Sequence, residues 1–173
     1  MNASGIENYP SLQNIVVEVL NELEIDYRIE DAEYIQFQVT GDSGVLECEI
    51  HTEDEKDWRS LATSVSSPTY VPRTRFPQVS EWIIRRNFLL KLGAYHLDFD
   101  DGNIQFRLGV LLGDSLATPE IVRTNLLTAI HVMDSSVPEI MTVAFSDRSA
   151  LDIIEEAERQ DIEGEAAPGT PLQ

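Results

Sequence analysis

The sequence predicts an α+β fold: an antiparallel sheet of about five to six strands with helices packed on one side. Some segments carry apolar residues every three or four positions, as amphipathic helices do. Others alternate apolar with polar residues and are joined by short turns, as in hairpins. Because the two kinds of segment do not alternate regularly, a doubly wound parallel sheet is disfavoured. The predicted order is α-ββββ-α-ββ-α, with one or two helices at the end.

The first helix is the clearest amphipathic segment, and it opens at Pro10 and Ser11. Charged and amide residues fall largely off its apolar stripe. The stripe consists of Leu12, Ile15, Val16, Val19, Leu20 and Leu23. We therefore expect one face of this helix to be buried.

From Ile25 the hydrophobic period changes to two, which predicts a meander of strands. Three strands are expected at residues 25–29, 35–39 and 46–50, and a fourth from Trp58 to about Val65. Cys48 shares the apolar face of the third strand, so it is predicted to be a small buried hydrophobic residue. The segment 66–77 contains three prolines and is interpreted as an extended crossing.

The second half predicts further helices and one hairpin. A helix from about Phe76 to Leu92 is expected to stop at Gly93. Alternating apolar residues on both sides of the turn 100–103 predict a hairpin. Thr118-Pro119-Glu120 is typical of a helix start, with the helix running to about Met133. Ser136-Val137-Pro138-Glu139 repeats that signal, so one or two more helices are predicted up to about Gln160.

The length of 173 residues is typical of one domain, which we place at residues 10–160. Residues 1–9 are predicted to be a flexible leader. Residues 161–173 begin with acids and then become rich in alanine, proline, glycine and threonine. That composition favours a disordered tail.

Charge is the most unusual property of the composition. The chain has 31 acidic and 12 basic residues, a formal net charge of -19 and a pI near 4.3. Such a surface repels nucleic-acid phosphates and anionic lipids, so neither is expected as a partner. Cys48 is the only cysteine, and neither a signal peptide nor a membrane span is visible in the sequence. A cytoplasmic location is therefore expected.

Two short motifs suggest a serine hydrolase. Residues 41–44 spell the start of the nucleophile motif of chymotrypsin-like proteases, but no histidine precedes Ser43 as that family requires. Residues 113–116 spell the nucleophile block of GDSL esterases, but no histidine has an aspartate three residues before it. Turns are the favoured interpretation. A small hydrolase using Ser115 or Ser43 remains the first alternative.

No residue pattern predicts a cofactor or metal. The acids at 98, 100 and 101 fail the EF-hand spacing, because Gly102 is fifth and Gly109 twelfth from Asp98. The three histidines and Cys48 are scattered without close ligand pairing. Neither a P-loop nor a dinucleotide-binding glycine motif is present. Catalytic, cofactor and metal residues are therefore expected to be absent.

Positive charge is concentrated in one segment, which we call the basic island. It comprises Arg73, Arg75, Arg85, Arg86 and Lys91. One interpretation is that these residues form ion pairs with the chain's own acids. Another is that they orient an acidic partner segment or a second copy. With Tyr70, Phe76 and Trp82, the island also leaves open a single-stranded nucleic-acid binder as a second alternative.

The segment from Arg86 to Arg107, RNFLLKLGAYHLDFDDGNIQFR, places a helix, a glycine stop and an aspartate-glycine hairpin in one order. With the preceding helix, meander and Val71-Pro72 crossing, the chain resembles the YbjN-like family of bacterial sensory transduction regulators over roughly residues 10–145. The resemblance implies a fold similar to class I type III secretion chaperones. Those are acidic α+β proteins that commonly dimerise and bind extended segments of other proteins. The chain beyond about Asp147 lies outside the resemblance.

Composition, pattern and resemblance together predict a non-enzymatic protein-binding module with a regulatory or chaperone-like role. We expect it to bind segments of partner proteins and to form a homodimer. Apolar patches on a sheet or helix surface are the expected contact.

Overall fold

The computed structural model describes residues 11–55, 58–112 and 117–166. In these residues six strands form a sheet, and every neighbouring pair is antiparallel. The strands are β1 (Tyr27–Ile29), β2 (Tyr34–Gly41), β3 (Gly44–Glu55), β4 (Trp58–Tyr70), β5 (Ala94–Leu97) and β6 (Asn103–Leu111). They form one sheet in the order β1-β2-β3-β4-β6-β5. The meander and the later hairpin therefore share a sheet, because β6 pairs with β4.

Four helices accompany the sheet in the described residues. They are α1 (Leu12–Glu22), α2 (Phe76–Leu89), α3 (Pro119–Phe145) and α4 (Ala150–Ala166), and a short 3₁₀ turn at Arg73–Arg75 leads into α2. The predicted α+β class and the element order α-ββββ-α-ββ-αα are thus confirmed. None of these helices combines the length and apolarity needed to cross a membrane.

Helix α1 forms as its sequence pattern predicts. The Ser11 side chain accepts a hydrogen bond of 3.2 Å from the Asn14 backbone amide, which caps the first turn. The Leu12 amide donates to the Asp54 carboxylate at 2.8 Å, which ties this helix start to β3. The apolar stripe is buried apart from Leu23, which is half-buried.

One face of the sheet and the inner faces of α1, α2 and α3 form the core. The fully buried residues with the largest side chains include Trp82, Phe106, Leu46, Ile50, Leu126 and Met133. Alternate positions of β3 point away from the helices and carry Glu47, Glu49, His51 and Glu53, which are exposed or half-exposed. We call this outward side the open sheet face.

Strand β4 is longer than the sequence predicts. It continues past Val65 to Tyr70, through part of the segment predicted to be an extended crossing. Its pairing with β6 shifts register between Ser66 and Tyr70, and Pro68 falls within that irregularity. A proline is tolerated there because the bulge does not need its missing amide donor.

The helix start predicted at Ser136–Glu139 is wrong, because α3 runs unbroken from Pro119 to Phe145. Ser136 does not cap a new helix. Its hydroxyl donates to the Val132 carbonyl within the same helix, at 2.7 Å. Buried Met133, Val137 and Ile140 hold the helix on the sheet on both sides of Pro138.

Two helix ends also differ from the predictions. Helix α2 ends at Leu89, before Leu92, and Gly93 with φ +75° lies in the connection to β5. Helix α4 continues to Ala166, into the segment predicted to be a disordered tail. The predicted leader at residues 1–9 and the rest of the tail at 167–173 lie outside the described residues.

Cys48 lies in the core as predicted, with 1 % of its surface exposed. Burial raises the pKa of the thiol to about 12, and the nearby Glu47 carboxylate adds to the rise. The thiol is therefore protonated at neutral pH and behaves as a small apolar side chain.

This pKa predicts how stability depends on pH. The fold favours the protonated thiol, so its contribution is complete below the ordinary pKa of 9.0 and is lost as pH rises towards 12. We expect the free energy of unfolding to fall by up to about 1.4 kcal/mol per pH unit above 9, relative to a Cys48→Ala variant. Urea denaturation of both proteins between pH 7 and pH 11 measures the difference. Equal slopes would contradict the prediction.

Candidate functional site

The turn at Gly41–Gly44 connects β2 to β3, as the turn interpretation predicts. The Asp134 carboxylate on α3 accepts the backbone amides of Asp42 at 2.9 Å and Ser43 at 3.0 Å. A Cβ atom at Gly41 would lie 2.4 Å from the Asp134 Oδ1 atom, so glycine is required for this approach. The turn is therefore anchored to α3.

The Ser43 hydroxyl is also bound to Asp134, through the backbone carbonyl of that residue. Pro138 lacks a backbone N–H, so the Asp134 carbonyl one turn earlier has no helical donor. The Ser43 hydroxyl donates to that carbonyl at 3.1 Å. Among the described residues, Ser43 makes no hydrogen bond to a histidine, which a serine nucleophile requires. The esterase-like block with Ser115 lies outside the described residues.

The acids of the β5–β6 turn bind backbone amides. The Asp98 carboxylate accepts from the Asp100 amide at 2.7 Å, and the Asp101 carboxylate accepts from the Asn103 amide at 2.8 Å. Gly102 has φ +86°, and a Cβ atom there would lie 2.3 Å from the Val71 carbonyl oxygen. In the described part of the chain, no group of three or more potential ligands could hold a metal ion.

The helix-to-hairpin segment is held by Asn87. Its side-chain amide donates to the Tyr95 carbonyl at 3.0 Å and its oxygen accepts the Tyr95 amide at 2.8 Å. A Cβ atom at Gly93 would lie 2.4 Å from the Phe106 ring. The residues that carry the family resemblance therefore fix the end of α2 against β5 and β6.

Two members of the basic island bind backbone carbonyls. Arg73 donates to the Asp100 carbonyl at 2.8 Å. Arg75 donates to the carbonyls of Val143, at 3.1 Å, and Ser146, where α3 ends. A cation at a helix C-terminus satisfies its unpaired carbonyls and complements the helix dipole. Both arginines therefore support the fold.

Arg86 belongs to a partly buried network between α2 and α3. Its guanidinium forms a two-point ion pair with the Glu139 carboxylate, and the Trp82 indole donates to the same carboxylate at 3.0 Å. Nearby, the Tyr95 hydroxyl contacts the Ser136 hydroxyl. Burial raises the pKa of Tyr95, so its hydroxyl keeps its proton for this contact.

The remaining island residues, Arg85 and Lys91, are exposed. Arg85 pairs with Glu81 at 2.8 Å, one helical turn away on α2. The four arginines of the island therefore have different partners in the fold. Arg73 and Arg75 lie at element ends, Arg86 faces α3, and Arg85 alone among them borders the groove described next.

An open groove of about 760 Å³ runs between α2 and α4, and we call it the α2–α4 groove. Its apolar lining consists of Pro77, Ile84, Phe88, Leu89, Leu151 and Ile154. Phe88 is 88 % exposed and Ile84 is 70 % exposed. Exposed apolar side chains gathered on one surface are typical of a binding site for another macromolecule.

Sequence reasoning missed this groove, although part of its signal is present. Ile84 and Phe88 are four residues apart and lie off the buried stripe of Val79, Trp82 and Ile83, so α2 has a second apolar face. The other wall depends on where α4 packs. That position follows from tertiary contacts with α2 and α3 and has no local sequence signal.

The sequence matches no known family model and no curated protein. The resemblance to the YbjN-like family therefore stays a prediction.

Adjacent arginines on α2 allow a matched test of the network. Replacing Arg86 leaves the Glu139 charge partly buried without its partner, so we expect Arg86→Met to destabilise the protein by about 2–4 kcal/mol. Arg85→Met removes only an exposed pair and should cost less than about 0.5 kcal/mol. Chemical denaturation measures both. Equal losses would contradict a structural role for Arg86.

Proposed function

We propose that this protein is a cytoplasmic, non-enzymatic binding module with a regulatory or chaperone-like role, which binds segments of partner proteins and a second copy of itself. The α2–α4 groove is the observation that carries the proposal. It is the surface where Phe88 and Ile84 expose most of their apolar area to water, and covering it with a partner would be favourable.

The chemistry of the described residues supports binding over catalysis. The motif serine at position 43 and the turn acids at 98 and 101 are hydrogen-bonded within the fold. The groove itself is lined by carboxylates, one guanidinium, a serine and apolar side chains. An acyl-transfer site needs a base in contact with a nucleophile, and such a pair has no counterpart in this lining.

Self-association is supported by the open sheet face. Ser60, Ala62, Ser64 and Ser66 of the central strand β4 have small side chains, and the Arg107 side chain of β6 reaches the Ser64 hydroxyl, to which it donates at 3.0 Å. In the sheet, Ser64 pairs with Glu49 of β3 on one side and with Arg107 of β6 on the other.

A twofold axis parallel to β4 would stack two such faces. It would place β6 of one copy over β3 of the other, so Arg107 would meet Glu49 at two symmetric positions. Such a homodimer would leave the α2–α4 groove free.

Partner capture tests the groove. Phe88→Glu places a charge in the apolar surface, and we expect it to abolish capture of partner proteins from a native lysate. Leu127→Glu is the matched control, because Leu127 on α3 is 45 % exposed and lies outside both the groove lining and the open sheet face. Both variants should fold normally. Identical capture by wild type and Phe88→Glu would refute the groove as the binding site.

Light scattering at micromolar concentration tests the dimer. We expect twice the chain mass of 19.5 kDa for the wild type. Glu49→Arg and Arg107→Glu each place like charges opposite one another and should give monomers. The double variant restores opposite charges and should dimerise again. A monomeric wild type, or single variants that remain dimeric, would count against the open sheet face.

A further inference from the structure

We propose that the α2–α4 groove binds an amphipathic helix about three turns long, with lysine or arginine flanking its apolar face. This inference rests on the proposed protein-binding function and specifies the chemistry of the partner.

The length of the groove sets the length of its occupant. Its α2 wall runs from Pro77 to Leu89, which corresponds to about 18 Å at 1.5 Å per residue. Ile84 and Phe88 on that wall are one helical turn apart. An occupant with apolar side chains at positions i, i+3, i+4 and i+7 matches this spacing.

The walls favour a helix over an extended segment. Both are helices, whose interior amides and carbonyls are already hydrogen-bonded within the helix. The groove therefore offers no strand edge for an extended backbone to pair with. A helical occupant satisfies its own backbone and can pack its side-chain ridges between those of α2 and α4.

The rim of the groove sets the charge of its occupant. It carries the carboxylates of Glu81, Glu155 and Glu158 and the guanidinium of Arg85. Arg85 is the one cation in the described lining and pairs with Glu81, and neither Glu155 nor Glu158 of α4 forms an ion pair among the described residues. The chain as a whole has a net charge of -19, which adds to the attraction of cations. A partner with cations along its apolar face complements this rim.

The same charges disfavour other occupants. A second copy docked by the same surface would bring two acidic rims together. An anionic lipid surface would be repelled for the same reason. The apolar lining of the groove could contact a second copy or a lipid surface equally well. The acidic rim is therefore what favours a cationic helix.

Designed peptides test the inference directly. The probe is a fluorescent peptide of about 18 residues, long enough to form a helix, with leucines on one face and lysines elsewhere. One comparator has glutamate for lysine, and another has two central prolines that break the helix. Fluorescence anisotropy with the full chain should show the lysine helix binding at least about tenfold more tightly than either comparator.

Variants locate the binding. Phe88→Ala should weaken binding of the lysine helix about tenfold and Leu127→Ala should not. Glu155→Lys with Glu158→Lys should weaken the lysine helix and strengthen the glutamate helix. Glu18→Lys with Glu24→Lys makes the same change in net charge at exposed positions outside both the groove and the open sheet face, and it should have a much smaller effect. Circular dichroism checks that each variant is folded.

Several results would overturn the inference. Equal effects of the two double variants would show that the peptide responds to net charge alone. Equal binding of the proline peptide would show that a helix is not required. Phe88-dependent binding to phosphatidylcholine–phosphatidylglycerol vesicles would indicate a membrane, and Phe88-dependent dimerisation would indicate a second copy. If no peptide binds but lysate capture still depends on Phe88, the protein-binding function survives and the cationic helix does not.

Discussion

Polar side chains spaced along α3 hold the other elements in place. Asn125 accepts the Thr63 hydroxyl of β4 at 2.7 Å and donates to a carbonyl of β6 at 3.2 Å. Asp134 holds the β2–β3 turn, Ser136 contacts Tyr95 of β5, and Glu139 binds α2. Apolar burial is not directional, so it brings these elements together without fixing their register. The hydrogen bonds of α3 select one arrangement, because an unsatisfied buried polar group is costly.

The groove depends on that arrangement. The inner side of α2 is fixed by Trp82 and Arg86, which both bind Glu139. With its inner side held, α2 presents Ile84 and Phe88 outward at a constant orientation to α4. A surface fixed before binding loses less conformational entropy when a partner arrives than a surface that must first become ordered. The Arg86–Glu139 ion pair therefore helps to hold the apolar surface of the α2–α4 groove in one orientation.

Local patterns in the sequence were sufficient to predict α1, the strand meander and the hairpin, because each has a strong period and a recognisable turn. The end of β4 was missed because serines and Pro68 gave no apolar alternation. The continuity of α3 is not predicted from the sequence, because a proline after a serine is typical of a helix start. Here Pro138 instead lies inside a helix that its core contacts stabilise. The α2–α4 groove could not be predicted, since its second wall is positioned by packing between segments distant in sequence.

The contact between Ser43 and the Asp134 carbonyl has an evolutionary consequence. The carbonyl needs an outside donor only because the residue at 138 is proline. In a homologue with an ordinary amide at that position, the helix supplies the donor itself, and a hydroxyl at position 43 is no longer needed. The two positions should therefore vary together across descendants of a common ancestor. Homologues without proline at position 138 should more often have alanine or glycine at position 43.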